Sequence, residues 1–259
     1  MYTLKSPREI EKMRIAGRIT AEAIELARRI VRPGIRTIDI DEAIAKFIRE
    51  RGGVPAFLGL YGFPGNVCIS VNEEVVHGIP GRRRLEAGDI VSVDCGVLFE
   101  GYYGDSAATI PCGEVSPEAR RIIETAEKAL ELAVEAVKPG ERLSTVARTV
   151  QTFVESNGYS VVRKFVGHGI GTKLHEEPQV PNYVSKALLD FDVIMKPGLA
   201  LAIEPMVNQG TYEVKTKKNG WTVVTKDHGL SAHVEHTVVV TESGHEVLTR
   251  VAAGVPERA

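Results

Sequence analysis

Four carboxylates fall in stretches of chain that are otherwise apolar. Asp94 ends Ile90-Val91-Ser92-Val93, Asp105 leads into Ser106-Ala107-Ala108, Glu204 ends Leu199-Ala200-Leu201-Ala202-Ile203, and Glu235 sits between Val234 and His236-Thr237-Val238. An acid in such surroundings is costly unless it is paired or binds a metal. A single one would be read as facing solvent or meeting an arginine. Four at positions related by an internal repeat point to one shared site. Their summed charge would be −4, and like charges a few ångströms apart do not all stay ionised without compensation. Two divalent cations neutralise them, and two metals ~3.5–4 Å apart are a hydrolytic arrangement that activates water. His168 would add one nitrogen ligand. Mostly oxygen with one nitrogen suits Mn, Fe(II), Co or Zn and leaves the choice among them open.

The other histidines divide by context. His168 lies in Gly167-His168-Gly169-Ile170-Gly171, which looks like a phosphate loop. No helix start follows it, so that reading is rejected, and the glycines are expected to turn the backbone sharply and aim the imidazole. His175-Glu176-Glu177-Pro178 is not a zinc-helix motif, because the second histidine is missing and proline breaks the helix. His77-Gly78-Ile79 echoes His168-Gly169-Ile170. His233 and His236 flank Glu235, and strand alternation sends His236 to the opposite face, where packing is its expected role. His228 and His245 read as surface or loop residues.

These groups need a frame, and the chain spells one twice. Val31-Arg32-Pro33-Gly34 recurs as Val137-Lys138-Pro139-Gly140, 106 positions on (Pro33 to Pro139). Leu85-Glu86-Ala87-Gly88 matches Met195-Lys196-Pro197-Gly198, 110 positions on (Gly88 to Gly198). Ser6-Pro7-Arg8-Glu9 is a capping box with proline at the first helical position, and Ile10, Met13, Gly17, Ile24, Ala27 and Ile30 follow helical spacing up to Pro33-Gly34. A second helix begins near Thr37 or Asp39 and ends at Gly52-Gly53. Ser116-Pro117 opens a third, and Ser144 is expected to cap a fourth, ending at Asn157-Gly158. Strands are expected at residues 90–94, 105–110, 199–204, 221–224 and 234–240. Each half thus reads helix, helix, antiparallel strands. The expected class is α+β, with two duplicated halves about a pseudo-twofold axis, a curved sheet inside and helices outside. No linker divides the chain, so one domain over 1–259 is expected, with pseudo-repeats of about 1–112 and 113–250 and a loose tail at 254–259.

Composition narrows the function. With 259 residues, 43% hydrophobic and 25% charged, the chain is expected to build a substantial core. A net charge of −2 argues against general nucleic-acid binding, and the basic runs at 82–84 and 215–218 read as solvated loops. Three widely spaced cysteines, Cys68, Cys95 and Cys112, suggest neither a disulfide framework nor a thiolate metal site. With no signal peptide or membrane span in sight, the cytoplasm is the expected compartment.

Taken together, Asn66-Val67-Cys68-Ile69-Ser70-Val71-Asn72-Glu73-Glu74, His77-Gly78-Ile79-Pro80, Val93-Asp94, Gly104-Asp105, Gly167-His168-Gly169-Ile170-Gly171, His175-Glu176-Glu177-Pro178, Ile203-Glu204-Pro205-Met206, Asn219-Gly220-Trp221-Thr222 and Glu235-His236-Thr237 resemble the type I methionine aminopeptidases, peptidases of the pita-bread fold in family M24. The resemblance covers nearly the whole chain. It implies removal of the initiator methionine from new polypeptides with a small second residue, by a metal-activated water attacking the first peptide bond. It implies two divalent metals, one held by Asp94, the other by His168 and Glu204, with Asp105 and Glu235 bridging. Glu204 would also shuttle a proton, His175 would stabilise the oxyanion, and His77 would contact the peptide nitrogen. Leu60, Phe63, Cys68 and Trp221 would line the methionine slot, where Leu60 and Phe63 stand in place of the tyrosines usual in the family and Leu174 in place of its phenylalanine. Cys68 is expected to be an apolar wall, not a nucleophile. Asn72 and Ser231 would serve a monovalent cation. The partners implied are the N-termini of nascent chains, with ribosome contact left open, no membrane, and a monomeric enzyme. Three other readings stand beside this one: a proline-specific peptidase with the same ligands, a pita-bread binding protein without metals, and acids paired structurally with arginines.

Overall fold

The computed structural model describes residues 2–251, so the tail expected at 254–259 lies outside the described residues. Four long helices occur where their punctuation places them: α1 (Pro7–Ile30), α2 (Thr37–Glu50), α3 (Pro117–Glu135) and α4 (Leu143–Ser156). Ser6 and Glu9 complete the capping box of α1, and the Ser116 hydroxyl accepts from Ala119 N. Ser144 does not cap α4, because the N-cap position falls on Arg142. Instead Asp192, from a distant loop, accepts from Ser144 N (3.0 Å) and Ser144 Oγ (2.6 Å). A carboxylate from elsewhere in the chain thus meets the unsatisfied N–H groups and positive end of the helix.

The two offsets of the internal repeat meet in paired hydrogen bonds. Gly34 N donates to Leu85 O (2.7 Å) and Gly140 N to Met195 O (2.9 Å), while Thr37 N reaches Arg83 O (2.9 Å) and Leu143 N reaches Val193 O (2.8 Å). The same backbone clasp therefore docks the turn between helices onto the loop before the sheet in both halves. Gly34 and Gly140 both have φ of 87°, the left-handed region that favours glycine.

The strands are antiparallel. In the first half, Ile90–Phe99 pairs with Cys68–Val71, Val54–Pro55 and Tyr102–Pro111. In the second, five strands lie in the order His245–Val247, His236–Val240, Ala200–Ile203, Gly167–Gly169, Glu176–Val180. Helices α1 and α2 pack their apolar faces on the first sheet, and α3 and α4 pack theirs on the second. The sheets join where Glu235 N donates to Ala107 O (2.9 Å) and Thr237 Oγ1 donates to Asp105 O (2.8 Å). This is the pita-bread architecture, and the seam runs through the acidic residues. Beside it, a Cβ on Gly104 would lie 2.6 Å from Gly17 N, so only glycine lets α1 approach the strand that carries Asp105.

Two expected strands are shorter than the apolar runs suggest. Glu204 lies just beyond Ala200–Ile203, and Glu235 lies between Ser231–His233 and His236–Val240. His236 pairs with Ile203 and His233 with Met206, so the two acids occupy an interruption in one long pair of strands. Pro205 has no N–H to continue the ladder there. The expected strand at 221–224 likewise begins only at Val223.

Candidate active site

Five side chains from both halves converge at that interruption. Asp94 comes from Ile90–Phe99 and Asp105 from the paired strand Tyr102–Pro111. His168 lies on Gly167–Gly169, opposite Ala202. Its Nε2 stands 3.5 Å from Glu204 Oε1 and 3.8 Å from Asp105 Oδ2. Asp105, His168 and Glu235 each present a ligand atom within 4.8 Å of the others. His168 Nδ1 lies 2.9 Å from Gly169 O, which makes Nδ1 the donor nitrogen and leaves Nε2 with a free lone pair toward the acids.

The electrostatics are those of a cluster built for cations. Asp105 and Glu235 are only 3% and 2% exposed. Burial pushes the Asp94 carboxyl up to about 7. Burial, reinforced by neighbouring acids, also raises Asp105, Glu204 and Glu235 well above the usual carboxylate range. Burial holds His168 down to about 4, so its imidazole is neutral at neutral pH. Asp94 Oδ1, Asp105 Oδ1 and Glu235 Oε1 are buried with no hydrogen-bond partner. Arginine pairing would have satisfied these oxygens, and no arginine is paired with any of the four acids among the described residues. Orphaned anionic oxygens beside a free imidazole nitrogen fit divalent metal ions.

Above the acids opens a cavity of 260 Å³. All the residues expected from sequence line it: His77, His175, Leu60, Phe63, Cys68 and Trp221 join the five around the acids. The Trp221 ring meets Phe63 edge to face at 5.2 Å, and His77 stands edge-on to Phe165 at 5.4 Å and to Trp221 at 6.4 Å. Burial lowers the His77 imidazole to about 4. His175 lies across His168 at 4.5 Å and 84°. Cys68 is buried, and desolvation raises its thiol well above the ordinary range, which fits a wall and not a nucleophile.

Six residues of the cavity are not among those the sequence singles out for it: Phe57, Tyr61, Val76, Phe165, Val166 and His233. Phe57 and Tyr61 flank the slot from a loop whose apolar residues carry no periodic signal. His233 is 2% exposed, and its unpartnered Nε2 lies 3.9 Å from Glu204 Oε2. Parity is the signal that could find it, since 233 and 235 share a face where 236 does not. His236 indeed points away, with Nδ1 3.0 Å from Thr249 Oγ1.

Other expectations need correction. Gly167 and Gly169 do not make a sharp turn: Cβ atoms there would lie 2.3 Å from Ala202 O and 2.2 Å from Glu177 O, so they serve close strand contact. His245 is half-buried on a strand, with Nδ1 3.1 Å from Val137 O. The basic runs are not merely solvated, because Lys217 (2.5 Å) and Arg83 (3.7 Å) both meet Glu74. Asn72 and Ser231 are neighbours, with Ser231 N donating to Asn72 O (2.9 Å). Their side chains are engaged by Asp89, Ile90 and Asn208.

Comparison with known proteins agrees with this geometry. The profile described as metallopeptidase family M24 matches residues 11–242. Methionine aminopeptidase 1 of Bacillus subtilis is 48% identical over 97% of this chain and 100% of its own length. The crystal structure of methionine aminopeptidase from Thermotoga maritima superposes with a TM-score of 0.94 at 42% identity, covering 97% of this chain and 100% of that one. A prolidase from Pyrococcus furiosus shares the fold at a TM-score of 0.76 and 24% identity; the match covers 96% of this chain and 66% of the prolidase.

Proposed function

The chain belongs to the methionine aminopeptidases of metallopeptidase family M24, and from that premise we propose that its cavity removes the initiator methionine from new polypeptides whose second residue is small. Two divalent cations would be held by Asp94, Asp105, His168, Glu204 and Glu235. The observation that carries this is the set of three buried, unpartnered carboxylate oxygens beneath an apolar-walled cavity. Asp94 would help hold one ion, His168 and Glu204 the other, and Asp105 and Glu235 would serve both. Bound there, the ions supply Lewis acidity and lower the pKa of water.

The chain's own groups do the rest. Leu60, Phe63, Cys68 and Trp221, with Phe57 and Leu174, take the methionine side chain and exclude water from it. The Glu204 carboxylate, beside both His168 and His233, accepts and returns a proton. His175 donates to the scissile carbonyl oxygen as that oxygen gains charge. His77, held by Phe165 and Trp221, meets the peptide nitrogen. The partners in this reading are nascent N-termini met near the ribosome, and the enzyme is a cytoplasmic monomer acting as a single catalytic domain. No described helix is long and apolar enough to cross a membrane, and the three cysteines are buried as free thiols.

The deciding experiment pairs metal analysis with hydrolysis of Met-Ala-Ser and of an Xaa-Pro peptide. Free methionine should appear, cease on chelation and return with added Mn or Co. Cleavage of the Xaa-Pro peptide alone, or turnover indifferent to chelation, would overturn the proposal.

A further inference from the structure

Tyr61 combines exposure with a left-handed backbone at the edge of the cavity. It is 76% exposed, so burial does not hold it. Its φ of 51° lies in the left-handed region, which is unfavourable for a residue with a side chain. The flanking turn is fixed by Gly59 N donating to Phe63 O (2.9 Å), Gly62 N to Gly59 O (3.1 Å) and Phe63 N to Leu60 O (2.9 Å). That turn presents the phenol ring to His175. The two rings stack with centroids 5.9 Å apart and planes 12° apart, and the Tyr61 hydroxyl lies 3.5 Å from His175 Nδ1. His168 closes the imidazole from another side. Among the described residues, Tyr61 is the one hydrogen-bond partner of the His175 ring.

A neutral imidazole carries one N–H and one bare nitrogen, and whichever partner engages one nitrogen decides the role of the other. If the Tyr61 hydroxyl donates to Nδ1, Nε2 carries the proton and is left as a donor for the cavity. If the hydroxyl accepted from Nδ1 instead, Nε2 would be bare and unable to donate to an oxygen. We propose that Tyr61 is a positioning residue for the reaction: its ring and hydroxyl hold His175 in the Nε2–H tautomer, aimed at the substrate carbonyl oxygen. This rests on the role given to His175 above. The separation is at the long end of hydrogen bonding, as is common for catalytic contacts that tighten once substrate is bound. Strained backbone at the mouth of a site is consistent with that use.

The test separates ring, hydroxyl and histidine. Tyr61→Phe keeps the ring, Tyr61→Leu removes it, and His175→Ala removes the group being positioned. With Met-Ala-Ser, Tyr61→Phe should lower kcat about tenfold with KM unchanged, the scale of one hydrogen bond, and Tyr61→Leu should lower it further. Metal content should stay at the wild-type level in both. His175→Ala should slow turnover by ~10²-fold, and adding Tyr61→Phe to it should cost nothing more. Independently of activity, ¹⁵N spectra of the histidine rings in metal-free protein should show His175 as Nε2–H in the wild type and as mixed tautomers in Tyr61→Phe. A fall in rate through KM alone, additive losses in the double variant, or identical tautomers in both proteins would overturn the inference. An unchanged rate in His175→Ala would instead overturn the role of His175, and the spectra would still decide the tyrosine contact.

Discussion

The floor and the wall of the cavity are built on opposite principles. The floor is polar, buried and carried by strands. Asp94 and Asp105 lie within a ten-residue strand pair, and Glu204 and Glu235 sit where another pair is interrupted. The wall is apolar and comes largely from loops: Leu60, Tyr61 and Phe63 from one turn, and Trp221 from the loop before Val223–Thr225. Strand pairing in both halves positions the floor. The wall is held by ring-on-ring contacts such as Phe63 on Trp221. Metal geometry demands the first kind of precision. A flexible methionine side chain, bound through apolar contact, needs only the second.

The sharpest break in this contrast is a floor substitution. His168→Ala removes the sole nitrogen of the five converging side chains. Loss of groups that merely support metal ligands costs 10–100-fold in metal affinity, and loss of the ligand itself should exceed ~100-fold. Metal occupancy by elemental analysis and methionine release should fall together. Full metal content with a dead enzyme would mean that the floor does not hold ions through this imidazole.

A wall substitution should behave differently. Trp221→Ala should leave metal content intact and reduce kcat/KM for Met-Ala-Ser by roughly 10–100-fold, the worth of ~1.5–3 kcal/mol of apolar contact. Part of that loss would pass through Phe63 and His77, which lean on the indole. Steady-state kinetics at matched metal loading checks this. A loss of bound metal on the same scale as His168→Ala would merge the two regions into one.

The same contrast governs which features the sequence makes legible. An acid in an apolar run is a local contradiction, visible in Asp94 or Glu204 whatever surrounds it. The helices are equally legible, because Ser6-Pro7 and Ser116-Pro117 announce their starts and Pro33-Gly34 marks an end. Phe57 and Tyr61 are not, since an apolar or aromatic residue in a loop contradicts nothing and acquires meaning only from its neighbours in space. Ser144 misleads because a serine near a helix start resembles its cap, and the group that does this work, Asp192, comes from 48 positions away. Glu204 and Glu235 read as strand residues because apolar runs do not reveal where a ladder is interrupted; Pro205 is the available clue.

The subtlest difference between floor and wall lies in pH. The folded floor retains protons that the unfolded chain would release, since burial raises Asp94 to about 7 and, reinforced by neighbouring acids, raises Asp105, Glu204 and Glu235 well above the usual carboxylate range. For a group with a raised folded pKa, stability is present at low pH and is lost as pH climbs toward the folded value. The cavity histidines act with the opposite sign: burial lowers His168 and His77 to about 4 and His233 to about 3. Their contribution grows with pH but is almost complete by pH ~7, where the unfolded chain's imidazoles have also lost most of their protons. Between pH 7 and 8 the acids therefore set the slope, at ~1.4 kcal/mol per pH unit for each proton kept by the fold. Metal-stripped protein should lose denaturant stability over that interval. Metal-loaded protein should not, because bound cations let the same carboxylates ionise without penalty. Trp221→Ala should leave this difference in place, whereas Asp105→Asn, which removes one of the buried titrating groups, should flatten the slope of the stripped protein. If stripped and loaded proteins showed the same slope from pH 7 to 8, the protons assigned to the metal-free floor would not be there.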